Sequence, residues 1–181
     1  MLRMTARFIG ALILLSSGQA YAATVYADRP DFEAALGTSI TDDYENSGYV
    51  FLQDNLTMSS ILGETTYRTT GFQNWNIVVF DSFYNTHVYC AGCKGSFTLD
   101  FTSTTVGNAT GVFGVGLDIL INGGFPLYTA FVTYGDQSTQ DFLLPQLLYG
   151  DGGLFFGLTS ESNIASIALD LVMVGQPSPV A

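Results

Sequence analysis

The chain has 181 residues and a formal net charge of −11, with 5 basic residues against 16 acidic ones. This length fits one domain, and an apolar content of 48% is enough for a core, which speaks against a disordered chain. The scarcity of basic residues speaks against binding to nucleic acid or to anionic lipid, because both need a positive patch. The abundance of Gly (20), Phe (14) and Tyr (10) favours an all-β protein.

Residues 1–22 have the pattern of a secretory signal peptide. Arg3 and Arg7 supply the basic n-region, an apolar run follows over residues 8–15, and Ala20-Tyr21-Ala22 has the small-x-small form of a cleavage site. The alternative, an uncleaved membrane anchor, is disfavoured because the run is much shorter than the roughly 20 residues that span a bilayer. We therefore expect an exported protein without a stable membrane anchor in the mature chain.

The mature chain is predicted to begin with one short helix. Asp28 suits the N-cap, Pro30 suits the first turn, Phe32 and Leu36 share a face, and Gly37 can end the helix. Elsewhere the apolar residues follow no sustained helical period.

Alternation of apolar and polar residues predicts strands over most of the remaining chain. In residues 96–101 the apolar side chains occupy every second position, and residues 113–119 carry large apolar side chains at the odd positions. The opposite face of the second segment holds Gly114, Gly116 and Asp118. Such small residues permit the close approach of a backbone or ligand, or they mark a barrel-like bend.

Denser apolar runs over residues 75–80 and 127–134 are typical of central strands, and alternation over residues 167–173 predicts a last strand. Turns rich in Gly, Asn and Asp separate these segments. The sequence thus predicts an antiparallel β-sandwich or jelly roll over residues 23–174, with one short N-terminal helix and a flexible tail over residues 175–181.

Cys90-Ala91-Gly92-Cys93 is the sharpest local motif. Two cysteines in an exported protein usually pair, and the glycines favour a tight turn between strands over residues 84–89 and 96–101. We expect a Cys90–Cys93 disulfide that staples this hairpin. A thioredoxin-like role would need a helix after the motif, and a metal site would need more ligands than the two thiols and His87.

The residues that could support catalysis are few. His87 is the only histidine, and no G-x-S-x-G motif accompanies it, which disfavours a Ser-His-Asp triad. Among 16 acids some pair will lie at a distance suited to glycoside hydrolysis by chance, but no acidic signature marks a catalytic pair. We expect no catalytic residues and no obligatory cofactor.

The segment Asp42-Asp43-Tyr44-Glu45-Asn46 is the densest acidic cluster. Its carboxylates are suitable ligands for a structural Ca²⁺, with Asp43, Glu45 and, from the last strand, Asp170 as the candidate set. The alternative is a solvated acidic turn or strand edge.

Aromatic side chains offer a second kind of site. Rings of Tyr and Trp present apolar faces that suit the CH groups of sugars, although most such residues pack in cores or across strands. The candidates by residue type are Tyr44, Tyr49, Tyr67, Trp75, Tyr84 and Tyr89.

The chain resembles the exported β-rich proteins of Gram-negative bacteria that often end in a PEP-CTERM sorting tail. The resemblance rests on the segments Arg29-Pro30-Asp31-Phe32-Glu33-Ala34-Ala35-Leu36, Cys90-Ala91-Gly92-Cys93-Lys94-Gly95-Ser96-Phe97-Thr98-Leu99-Asp100-Phe101, Gly111-Val112-Phe113-Gly114-Val115-Gly116, Phe156-Gly157 and Ile164-Ala165-Ser166-Ile167. The final residues, Gln176-Pro177-Ser178-Pro179-Val180-Ala181, lack the Pro-Glu-Pro motif, membrane helix and basic end of that tail. The resemblance implies a cell-surface or matrix-associated protein and supplies no catalytic residues.

These observations together predict a secreted, non-enzymatic β-sandwich at the cell exterior, with an extracellular polysaccharide as the expected partner. Two alternatives stay open: a structural matrix protein that assembles with itself or with another protein, and a glycan-active enzyme that uses carboxylates.

Overall fold

The computed structural model describes residues 22–69, 75–91, 96–120, 127–146 and 153–172. Those residues form nine strands, paired antiparallel, and two short helices, which confirms the all-β prediction. In chain order the elements are β1 (Ala23–Tyr26), α1 (Arg29–Ala35), α2 (Asn55–Leu62), β2 (Thr66–Thr69), β3 (Asn76–Asp81), β4 (Thr86–Ala91), β5 (Phe97–Asp100), β6 (Val112–Ile119), β7 (Leu127–Tyr134), β8 (Thr139–Leu143) and β9 (Leu154–Val172).

The 19-residue strand β9 organises the main sheet. Its first part pairs with β1 and β6, and its second part pairs with β5 and β7. Strand β2 continues the sheet beyond β5, and β8 continues it beyond β7. Strands β3 and β4 form a separate two-stranded sheet. Each of the other six strands of the main sheet therefore pairs with β9 directly or through one neighbour.

The pairing of β9 is irregular at its middle. The register with β6 shifts between Thr159 and Ile164, and the register with β7 shifts between Ile164 and Ser166. Register shifts of this kind bend a strand and increase its twist. The two parts of β9 can therefore face different neighbours while the chain stays extended.

The core lies against β9. Leu158, Ile164 and Ile167 of this strand are fully buried, and they pack with buried side chains from other strands and from α2. Those partners include Met58, Tyr67, Val78, Leu99, Val112, Val115, Ala130, Val132 and Tyr134.

Helix α1 forms where it is predicted, but Leu36 in an extended conformation, and not Gly37, lies at its C-cap. The Asp28 carboxylate accepts a hydrogen bond from the Asp31 N–H at 3.2 Å, Pro30 lies in the first turn, and the helix ends at Ala35. Phe32 is its one buried residue.

Helix α1 packs against the glycine face predicted on residues 113–119. A Cβ added at Gly116 would lie 2.6 Å from Cε1 of Phe32, and one added at Gly157 would lie 2.9 Å from the same ring. Asp118, on the same face, bonds to Arg29 of the helix. The small residues of this face therefore admit a helix of the same chain.

A second helix, α2, contradicts the prediction of a single helix. Asp54 caps it by accepting a hydrogen bond from the Thr57 N–H at 2.7 Å, and Gly63 ends it with a φ of 74°. Only Met58 of this helix is buried, whereas Leu56 is exposed. Met58, Ile61 and Leu62 share a face, but the helix has only eight residues and Leu56 lies away from that face, so it leaves no sustained helical periodicity in the sequence.

The predicted hairpin between residues 84–89 and 96–101 is also wrong. Among the described residues β4 pairs with β3, and β5 pairs with β2 and β9. Leu99 is buried in β5, so pairing at the centre of the main sheet covers it better than a local hairpin would. Residues 75–80 were expected to form a central strand, but β3 lies in the two-stranded sheet.

Several predictions fall outside the described residues. They concern nearly all of the signal peptide, the tail over residues 175–181, and the turns at 122–124 and 150–152.

Gly111 tests the arrangement around the middle of β9. Its φ is 116°, and a Cβ there would overlap the carbonyl oxygen of Ile164. We expect Gly111→Ala to lower the free energy of unfolding by about 2–5 kcal/mol, through backbone strain and overpacking. Urea denaturation measures this change.

Gly37→Ala is the matched control, because a Cβ at Gly37 would meet no atom within 4 Å. We expect this variant to remain within about 0.5 kcal/mol of the parent protein. Equal stability of the two variants would contradict the described packing of Gly111 on β9.

Candidate functional site

The hairpin of β3 and β4 presents an exposed aromatic end. Its turn is fixed by Asp81, whose Oδ1 accepts hydrogen bonds from the N–H groups of Phe83 at 2.8 Å and Tyr84 at 3.3 Å. Asn85 closes the turn with a φ of 54°, a conformation that Asn tolerates better than most residues. The side chains of this turn are therefore held on an ordered backbone.

One face of the hairpin packs on the core at its base and extends past the core towards its turn. Asn76 and Val78 are buried on this face of β3, whereas Phe80, two residues further along the same face, is 51% exposed. Phe80 pairs in register with His87 of β4, and their rings meet edge to face at 5.5 Å. The inner face of the hairpin thus emerges into solvent at its end.

We refer to Phe80, Phe83, Tyr84 and His87 as the aromatic tip. Phe83 is 74% exposed, and its ring meets that of Tyr84 edge to face at 4.9 Å. Large exposed aromatic side chains on an ordered turn are suited to contact a partner, since they lose little conformational freedom on binding.

Glu45 supplies a carboxylate beside the aromatic tip. Its Oε1 accepts hydrogen bonds from the His87 N–H at 3.0 Å and the Thr86 hydroxyl at 3.2 Å, and its Oε2 lies 2.8 Å from His87 Nδ1. The hydrogen bond from the His87 backbone is the main reason that the pKa of Glu45 is lowered. The carboxylate therefore stays ionised at neutral pH and fastens the loop between α1 and α2 to β4.

Asp42 anchors the same loop from its other side. Its Oδ2 accepts hydrogen bonds from the hydroxyls of Tyr49 and Tyr67, the latter at 2.8 Å. Tyr44 packs beside them, with its hydroxyl 3.4 Å from that of Tyr67. The ring of Tyr89 contacts the rings of Tyr44 and Tyr67, and we refer to Tyr44, Tyr49, Tyr67 and Tyr89 as the tyrosine cluster.

Burial raises the pKa of each tyrosine in this cluster. Hydrogen bonding to the Asp42 carboxylate raises the pKa of Tyr49 further, because the bond requires the phenol proton. These phenols stay neutral through the physiological range, so Tyr49 and Tyr67 keep the protons that they donate to Asp42, and Tyr89 keeps the one that it donates to Asn76.

A buried amide joins the base of the hairpin to the start of α2. Asn76 is fully buried; its Nδ2 donates to Asn55 Oδ1 at 3.0 Å, and its Oδ1 accepts from the Tyr89 hydroxyl at 2.8 Å. The backbones of Asn76 and Gln53 exchange two hydrogen bonds, at 2.8 and 2.9 Å. Sequence reasoning missed Asn76, because a single Asn in an apolar run has no pattern that marks it as buried.

The candidate calcium ligands have separate partners. Asp43 accepts the Glu45 N–H at 3.1 Å, Glu45 bonds to β4, and Asp170 bonds to the hydroxyl of Ser96. Among the residues that the structure describes, no group of three or more His, Cys, Asp or Glu side chains could hold a metal ion. The structure therefore does not bring the predicted set together.

Five of the six candidate sugar-stacking residues fall into two groups; the sixth, Trp75, lies directly before β3 and is 37% exposed. Tyr44, Tyr49, Tyr67 and Tyr89 belong to the tyrosine cluster, where their faces pack on one another and on the core. Tyr84 lies in the aromatic tip. Phe80 and Phe83, the most exposed rings of the hairpin, were missed because their residue type favours the core in the absence of a structure.

The predicted disulfide stays a prediction. Cys90 lies in β4 opposite Ile77, and Cys93 lies outside the described residues. Thiol titration of the native protein tests the pairing: we expect no reactive thiol, and two free thiols would contradict it.

Comparison of the chain with protein-family models, with curated proteins and with solved structures finds no match. Within the described part of the chain, the helices are all too short to cross a bilayer.

The loop anchor can be tested at Asp42. Asp42→Ala would leave the hydroxyls of Tyr49 and the buried Tyr67 without their charged acceptor, which we expect to cost about 2–4 kcal/mol of unfolding free energy. Asp43→Ala is the control, since Asp43 only accepts an exposed N–H in the same loop, and we expect a loss below about 1 kcal/mol. Urea denaturation compares the variants, and equal losses would contradict the anchor.

Proposed function

We propose that this chain is a secreted, non-enzymatic β-sandwich that binds a neutral extracellular polysaccharide through the aromatic tip. The observation that carries the proposal is the exposure of Phe80 and Phe83 on an ordered hairpin turn beside the Glu45–His87 pair. The sandwich arrangement, export and ligand class belong to this proposal together.

The chemistry of the aromatic tip suits a sugar. Aromatic rings offer apolar faces to the CH groups of a pyranose, while polar groups at the edge of a site bond to hydroxyls and set orientation. Here the rings of Phe80, Phe83 and Tyr84 supply the apolar faces. The Glu45 carboxylate and the His87 ring, which are exposed in part, supply the polar edge.

Charge selects the kind of polysaccharide. The protein carries a large excess of acids, and the lowered pKa of Glu45 keeps a negative charge beside the tip. A polymer rich in carboxylates or sulfates would be repelled by this charge. A neutral polymer meets no such barrier.

The beginning of the fold agrees with export. Strand β1 begins at Ala23, directly after the Ala20-Tyr21-Ala22 sequence that resembles a cleavage site. Cleavage after Ala22 would remove no residue of a described strand or helix.

The proposal predicts that Phe83→Ala and Phe80→Ala weaken binding. We expect each to reduce affinity for a soluble neutral β-glucan about 2- to 10-fold, since one aromatic contact contributes about 0.5–1.5 kcal/mol. Affinity gel electrophoresis with a panel of neutral polysaccharides and one polyuronate measures the effect, with the polyuronate expected not to bind.

Phe113→Ala is the matched control. Phe113 is also a phenylalanine, is 50% exposed, and lies on β6 of the main sheet rather than on the hairpin. Equal losses for Phe113→Ala and Phe83→Ala would contradict the assignment to the aromatic tip. Failure of every neutral polysaccharide to bind would contradict the proposed function.

A further inference from the structure

A groove lies between strands β1 and β8, and none of its lining residues belongs to the aromatic tip. Its volume is about 350 Å³, and the start of β9 contributes to its wall. Phe142, Leu144, Leu154 and Phe156 are buried or half-buried there, while Leu143 on the rim is 70% exposed. The lining is therefore mainly apolar.

Two edge strands form the sides of this groove. Strand β8 lies at one end of the main sheet and pairs with β7, and β1 pairs with β9. Neither strand has a second partner strand in the described part of the chain. An edge strand presents backbone N–H and C=O groups that can pair with an added strand. The groove thus combines an apolar lining with backbone groups suited to strand addition.

The charge of the groove restricts its occupant. Asp141 is the one charged residue among the lining side chains, it is exposed, and it forms no ion pair with any described residue. The whole chain is acidic as well. An occupant with basic side chains near Asp141 would complement this charge, and an acidic occupant would be repelled.

The charge also disfavours a second copy of the chain. Two copies that pair antiparallel through β8, centred on its middle residue, would place Asp141 opposite Asp141. Like charges directly opposite each other on paired strands are destabilising.

We propose that this groove binds an extended peptide segment of another extracellular protein, with apolar and basic residues in alternation. The segment adds a strand at the edge of β8, directs its apolar side chains into the groove, and places a basic side chain beside Asp141. The groove volume lies at the low end of the roughly 300–1,000 Å³ of ligand pockets, which suits a few side chains of a short segment. This mode of recognition takes affinity from the backbone and specificity from alternate side chains.

Fluorescence anisotropy with a labelled seven-residue peptide of alternating valine and lysine tests the proposal on the mature protein. We expect saturable binding that weakens as salt is raised. Replacement of lysine by glutamate in the peptide should abolish binding at the same concentrations. Methylation of alternate backbone nitrogens should reduce affinity at least 10-fold, because it removes hydrogen-bond donors of the added strand.

Asp141→Asn should reduce affinity for the lysine peptide about 2- to 5-fold and weaken its salt dependence. Glu161→Gln is the matched control: it makes the same carboxylate-to-amide change at an exposed residue of β9 outside the groove lining, and we expect little change. Both sites are exposed, so neither change should prevent folding.

Absence of binding would overturn the proposal, as would equal affinity of the methylated peptide or equal losses in the two variants. Sedimentation of the protein with and without the lysine peptide tests whether a second copy occupies the groove. We expect no dimer that the peptide dissociates, and a dimer that the peptide dissociates would assign the groove to a second copy instead.

Discussion

The antiparallel pairing of β9 is the interaction on which the rest of the structure depends. Four strands hydrogen-bond to β9, two along each of its parts, and three of its side chains are fully buried in the core. The irregular register between Thr159 and Ser166 lets one strand serve both sets of partners. Gly111 fits against this point because a larger residue would overlap Ile164.

The hairpin of β3 and β4 is not part of the sheet built on β9, and this separation accounts for its exposed end. It joins the body of the protein through the core contacts of Val78, the buried amide of Asn76 and the Glu45–His87 pair, and it belongs to its own sheet. These side-chain contacts and the backbone bridge between Asn76 and Gln53 hold its base, while its turn extends past the core. A site for a ligand at the tip therefore needs no change in the main sheet.

Local signals in the sequence were sufficient for several elements. Asp28, Pro30 and Phe32 predicted α1, and alternation predicted β5 and β6, because these patterns report which face of a single element is buried. Phe113 is the exception: it is 50% exposed, beside the shift in register between Val112 and Gly114. The glycine face of β6 was recognised as a place of close approach, although its occupant, the Phe32 ring of α1, depends on tertiary contacts.

Features that depend on contacts distant in the sequence were not predictable. The first half of β9 and its two sets of partners depend on pairing with segments more than 30 residues away. The acidic cluster over residues 42–46, with Glu45 as a candidate calcium ligand, is predicted to bind a metal or to stay solvated, yet Asp42 and Glu45 bond to Tyr67 on β2 and His87 on β4. Helix α2 has only eight residues and buries only Met58, so the signals that could have revealed it are its cap residues Asp54 and Gly63 and the short spacing of Met58, Ile61 and Leu62.

The central claim, a rigid sheet around β9 that carries a separate ligand-binding hairpin, is tested most directly by amide hydrogen exchange with and without a soluble neutral polysaccharide. The account predicts slow exchange along the buried part of β9, unchanged by the polysaccharide, and new protection confined to residues 76–91 and the loop around Glu45. Fast exchange in β9, or protection that appears only on the main sheet, would contradict it.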